Sequence, residues 1–174
     1  MKDGIQARAW RILLLALAIG ALTACGFHPR GAARLPAAMA VTSIEGLAAY
    51  DPLRQRIRWR LEAAGVRVVE DPEAATARLQ ILARNFLKRP LTVSQRGQVT
   101  EYELVRSLRF RVIDADDRTL VPEQTLTITR SYLFDRTNPL GTSSEEAAIA
   151  EAMERDLVSL LLRRLEAVSG KAAR

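Results

Sequence analysis

The 174-residue chain holds one cysteine, Cys25, and one histidine, His28. A single thiol rules out an intrachain disulfide, and with a single imidazole the usual Cys/His metal sets are excluded. A Ser–His–Asp arrangement would have to be built on His28, which lies in a short Gly/Pro-containing stretch, so no nucleophile–base pair can be drawn. No Gly-rich phosphate loop follows a strand pattern, and no nucleic-acid motif accompanies the formal net charge of +6. Long apolar runs are missing as well: the longest, Ile12–Ala21, is half of the ~20 residues that a membrane-spanning helix needs. These absences shift the expected role from catalysis to binding or assembly, with no dissociable cofactor and no nucleic-acid partner.

What is present begins at the short apolar run. Lys2, Arg8 and Arg11 stand before it, and Leu22-Thr23-Ala24-Cys25-Gly26 follows it. This is the layout of a bacterial export signal of residues 1–24, ending in a lipobox. Cleavage before Cys25 would leave the cysteine to carry N-acyl and S-diacylglycerol chains, which anchor a protein to a bilayer without spanning it. Gly26, in place of Asp after the cysteine, favours the outer membrane. The leader removes a net +2, so the mature 150 residues carry +4 and fit one domain with its own core.

Residues 25–38 read as a lipidated tether, with Pro29, Gly31 and Pro36 and little periodicity. A domain over 39–168 follows. Met39–Ile44 reads as a strand. Asp51 caps a helix that has Pro52 at its first position and stops at Gly65. Leu53, Ile57, Leu61 and Ala64 form its narrow apolar stripe, and Trp59 points the other way, a candidate partner contact. Val66–Val69 starts strand-like and is interrupted at Asp71-Pro72. Ala77–Leu87 alternates, with Ala77, Leu79, Ile81 and Ala83 on one face, and Lys88-Arg89-Pro90 ends it. Val99–Ile113 and Thr125–Phe134 are two more strands around an Asp114–Arg118 turn. Asn138–Gly141 reads as a loop, after which Ser143 and Glu146 form a capping box for the longest helix. Its stripe is Ile149, Met153, Leu157, Leu160, Leu161 and Val168. Val158, Leu162 and Leu165 extend the apolar character to the far side. Either that helix is sandwiched between sheet and first helix, or a partner covers Val158, Leu162 and Leu165. The tail 169–174 is polar.

Arginines are the remaining chemistry. Arg106 and Arg130 interrupt apolar strand faces, and antiparallel pairing brings them near one another. Lys88 and Arg89 sit at a neighbouring strand end. Guanidinium forks suit phosphate, and a phosphorylated lipid is the anion that an outer-membrane lipoprotein would meet. The alternative is that Arg106 and Arg130 only snorkel at the sheet margin.

The ordered set of segments resembles the lipopolysaccharide-assembly lipoprotein family LptE. Cys25-Gly26-Phe27-His28-Pro29-Arg30-Gly31 is similar to the family's mature start, with Pro29 where Leu is usual. Gln98–Leu104, Thr129-Arg130-Ser131-Tyr132, and Glu145-Glu146 followed by a helix closing in Leu161-Leu162-Arg163-Arg164-Leu165 resemble its strands and final helix. The resemblance implies an α+β domain, two helices packed on a four-stranded, mostly antiparallel sheet, and a plug within the outer-membrane barrel LptD. It also implies help in assembling that barrel, binding of lipopolysaccharide and its insertion into the outer leaflet. Arg130 is carried over by its motif; Arg106, Lys88 and Arg89 join it by charge. A lipoprotein binding module or chaperone of another envelope machine is the competing reading, and a stable barrel partner separates the two.

Overall fold

The computed structural model describes residues 35–172; the proposed leader and most of the tether, with Cys25, His28 and Pro29, lie outside the described residues. The described chain orders as β1 (Val41–Glu45), α1 (Pro52–Ala63), β2 (Arg67–Val69), β3 (Ala77–Val93), β4 (Val99–Asp114), β5 (Thr119–Leu133) and α2 (Pro139–Ala172). The sheet has five strands in the order β2-β1-β3-β4-β5. Four mostly antiparallel strands were expected. The fifth is β2, three residues long, and β1 runs parallel to both β2 and β3, so the sheet is mixed. Asp71-Pro72 cuts β2 short, which is why the sequence shows only a fragment of a strand there.

α1 forms as its ends dictate. The Asp51 carboxylate accepts from the Leu53 backbone N–H at 2.9 Å, with Pro52 at the first position. At the other end Gly65 takes φ +86°; its N–H donates to the Glu62 carbonyl and the Val66 N–H donates to the Leu61 carbonyl, a Schellman motif. α2 starts earlier than expected. The Asn138 side-chain oxygen accepts from the Gly141 N–H at 3.0 Å, so Asn138 is the cap and Pro139 the first helical residue. Ser143 lies inside the helix and Glu146 is free for another use. The helix also runs through Gly170 to Ala172 rather than ending before a polar tail.

β3 departs most from its pattern. It pairs with β4 as far as Val93, but Leu82 is an extra residue: Ile81 faces Phe110 while Ala83 faces Arg109. This bulge inverts the alternation. Arg84, Phe86 and Lys88 therefore lie on the helix-facing side, and Ala83 joins the outer side, the reverse of the expected assignment. The strand also continues through Pro90. β1 pairs with β3 only to Gln80, so beyond it β3 is an edge, where proline is tolerated.

α1 and α2 cover one side of the sheet. The main core joins Leu53, Ile57 and Leu61 of α1 and Leu157, Leu161 and Leu165 of α2 to Leu79, Ile81, Leu108, Phe110 and Val112. A smaller cluster of Leu104, Tyr132 and Met153 sits farther along. Among the described residues no helix is long and apolar enough to cross a membrane.

Candidate functional site

The two apolar clusters are separated by an ionic seam. On β4, Arg106 stands between Leu104 and Leu108; on α2, Glu154 stands between Met153 and Leu157. The Arg106 guanidinium donates to the Glu154 carboxylate at 2.9 Å and lies over the Phe86 ring at 4.8 Å. Glu154 also meets Arg56 of α1 at 3.4 Å. One carboxylate thus ties both helices to the sheet, and Arg106 is bound in the seam rather than merely snorkelling.

Beyond the seam, Lys88, Leu104 and Arg130 occupy one cross-strand row. Strand spacing puts Lys88 and Arg130 about 10 Å apart at their backbones. Arg130 donates to Asp156 at 2.9 Å, with its side chain 56% exposed. Lys88 donates to Glu146 at 2.5 Å and sits 4.3 Å from the Tyr102 ring centre. The Tyr132 hydroxyl donates to the same Glu146 oxygen at 2.6 Å. Arg106 and Arg130 are diagonal neighbours, as the pairing argument required.

Glu146 controls the local charge. Hydrogen bonds from Lys88 and then Tyr132 hold its carboxyl below the ordinary value, against the opposing effect of burial. Burial and donation to Glu146 push Tyr132 up. Burial alone would pull Lys88 down, but its hydrogen bonds and attraction to Glu146 and Tyr132 together outweigh it, and its pKa is raised.

The four expected phosphate contacts do not form one surface. Arg89 pairs across from Glu103, on the opposite side of the sheet, and donates to it at 2.5 Å with its own side chain 60% exposed. Lys88, Arg106 and Arg130 share the helix side, and each already holds a carboxylate of α2. Those carboxylates, Glu146, Glu154 and Asp156, are what the sequence reading missed. Their signal was present as acids bordering the apolar stripe of the last helix, but only the docking of α2 gives each an address.

The proposed partner face also needs correction. Val158, Leu162 and Leu165 are buried in the main core, because α2 lies on the sheet beside α1 and packs against both. Of the expected partner contacts among the described residues only Trp59, 65% exposed, is on the surface. It borders a shallow groove of about 210 Å³ with Arg56, Arg60, Arg155 and Ser159. A run of exposed apolar side chains lies elsewhere, along β3 at Leu82, Phe86, Leu87, Leu91 and Val93, with Leu133 at the end of β5. No group of His, Cys, Asp and Glu suited to a metal occurs among the described residues.

This domain has recognised relatives. The family model described as LptE, lipopolysaccharide-assembly, matches residues 38–165. The LPS-assembly lipoprotein LptE of Photorhabdus laumondii is 28% identical over 153 residues, spanning 88% of this chain and 83% of the relative. Its counterpart in Pectobacterium atrosepticum is 24% identical over 159 residues, spanning 91% and 85%. Among solved structures, lipoprotein B of Nitrosomonas europaea superposes with a TM-score of 0.71 at 28% identity, over 83% of this chain and 93% of that one. The rare lipoprotein B of Shewanella oneidensis shares the fold, with a TM-score of 0.66 at 21% identity over 77% and 99%. On the match over residues 38–165, the chain belongs to the lipopolysaccharide-assembly family LptE.

Proposed function

We propose that this protein is an outer-membrane lipoprotein, acylated at Cys25, whose domain plugs an LptD-like barrel. In this reading it assists the barrel's assembly, binds lipopolysaccharide and helps insert it into the outer leaflet. The domain occupies the lumen and faces the periplasm. The family match over 38–165 carries the reading. The structure adds support of its own kind: an apolar strand and an exposed tryptophan are surfaces that a lumen would cover and water would not.

Within this reading, Arg130 and Arg89 are the cations placed to exchange a carboxylate for a lipid phosphate, because both are more than half exposed. Lys88 and Arg106 are the more enclosed pair and act as struts that hold the strands to α2.

A detergent pulldown of the full chain, read by mass spectrometry, tests the plug role. A barrel recovered in stoichiometric amount is the expected result; recovery without any barrel leaves the protein a free-standing binding module. The anchor has its own test. Cys25→Ala should abolish incorporation of labelled palmitate, and continued labelling would place the acyl chain elsewhere.

A further inference from the structure

β3 has two halves with different neighbours. Up to Gln80 it lies between β1 and β4; beyond that, β4 is its one partner in the sheet. β1 leaves at Gly46, φ +83°, packed so closely on the Ile81 carbonyl that a Cβ there would overlap it. From Ala83 to Pro90 the pairing with β4 is regular, and among the described residues no strand pairs with the other backbone edge. The irregularities at Leu82 and after Pro90 bracket this stretch. Bulges, prolines and cations are the usual means of blunting an edge. Here the bulge at Leu82 and the irregularity after Pro90 frame the opening and leave eight regular residues, about 26 Å, between them, with Arg84, Lys88 and Arg89 inside the stretch and Pro90 closing it.

Two further observations describe what would fit. The exposed side chains of this stretch include Phe86 and Leu87, with Leu82 and Leu91 just outside it. β3 carries Arg78, Arg84, Lys88 and Arg89 and no acidic residue along its whole length; each cation is paired with a carboxylate from elsewhere in the fold, and Arg84 and Arg89 remain more than half exposed and able to exchange it. Beside the opening lies a cleft of about 340 Å³ between Leu53, Leu157, Phe86, Arg84 and Arg106. Its apolar walls and two guanidinium groups would receive an anchoring side chain. A lipid tail can cover apolar side chains but leaves the edge N–H and C=O groups to water, whereas an added backbone pairs them in a regular row.

We propose that the Ala83–Pro90 edge of β3 accepts an added strand, an extended segment of the barrel partner that alternates apolar and acidic residues. The inference rests on the plug reading and names the contact by which the plug is held. The hydroxyl-lined β5 edge, with Thr125, Thr127 and Thr129, lacks such an apolar border and is not assigned this role.

Hydrogen–deuterium exchange on the detergent-purified complex, compared with the free protein, tests it. Peptides covering 83–90 should gain protection in the complex, while 125–131 exchange alike in both. Leu87→Asp, an exposed position, should weaken barrel retention about tenfold, the loss of one anchor, with an unchanged melting temperature; Thr127→Asp should not. A complex that forms while 83–90 exchange as in the free protein overturns the inference and leaves the plug role standing. Failure to recover any barrel overturns both. Protection of 83–90 by lipopolysaccharide micelles alone would assign the edge to lipid. Protection that rises with concentration and a dimer mass would assign it to a second copy. Either result overturns the added strand from the barrel.

Discussion

Glu146 serves two donors, and that makes it the titrating centre of the distal sheet. Its carboxyl is held below the ordinary 4.5. Its contribution to stability is therefore complete above that pH and is lost as pH falls through the lowered value. Lys88, raised above 10.5, behaves inversely: its contribution is complete below 10.5 and is lost as pH climbs through the raised value. Tyr132, raised above 10.0, behaves as Lys88 does, so the cluster adds no pH dependence between about 4.5 and 10.0. Thermal melts from pH 7 to pH 3 should show an acid-side fall that is smaller in Glu146→Gln; equal falls would mean that the cluster contributes nothing. The ligand prediction also belongs to single residues. Arg130→Ala and Arg89→Ala should each weaken lipopolysaccharide binding, by up to about 1.5–3 kcal/mol for a charge-assisted contact and less where water screens it. Arg163→Ala, exposed at the far end of α2, is the comparison. Arg56 cannot serve, since it shares Glu154 with Arg106. Tighter or equal binding by Arg130→Ala and Arg89→Ala would remove both from the lipid site. Arg106 and Arg130 were legible as breaks in an apolar pattern. Their carboxylates were not, because a helix sequence shows which face is apolar but not which strand residue lies beneath each acid.

At the scale of elements, local chemistry was read well where it is self-contained. Asp51-Pro52 and Gly65 set both ends of α1 as expected. Asn138-Pro139 obeys the same rule as Asp51-Pro52, and reading it as a loop overlooked a cap with proline at the first helical position. β3 was harder. Nothing in Leu82 itself marks a bulge; the extra residue is fixed by pairing with β4 and by the departure of β1 at Gly46. Gly46 and Gly65 have nearly the same positive φ, so alanine strains the backbone alike at both. Gly65→Ala meets open space and should cost about 1–2 kcal/mol. Gly46→Ala also collides with the Ile81 carbonyl and should cost more. Urea unfolding of the two variants decides this, and equal losses would show that the β1–β3 contact yields easily.

For the molecule as a whole, periodicity identified two helices, the longer strands and most of the core, and the family resemblance implied helices packed on a sheet; neither showed the sheet's fifth strand or its mixed direction, which depend on where short segments land. The placement of α2 beside α1 on the sheet buries Val158, Leu162 and Leu165 and leaves them no partner to meet. Leu157→Asp would put an unpaired carboxylate between α1, α2 and the sheet, and should lower stability by several kcal/mol, on the order of 3–5; a melting temperature close to wild type would refute that packing. α2 supplies Leu157, Leu161 and Leu165 to one cluster, Met153 to the other, and Glu154 to the seam between them. It is also the last secondary-structure element of the described chain. During synthesis, β4 and β5 emerge before the helix that covers them, so their apolar side stays wet until α2 has arrived, while α1 is already there for the rest of the sheet. The interval before this helix docks is when the growing chain most needs shelter from its neighbours.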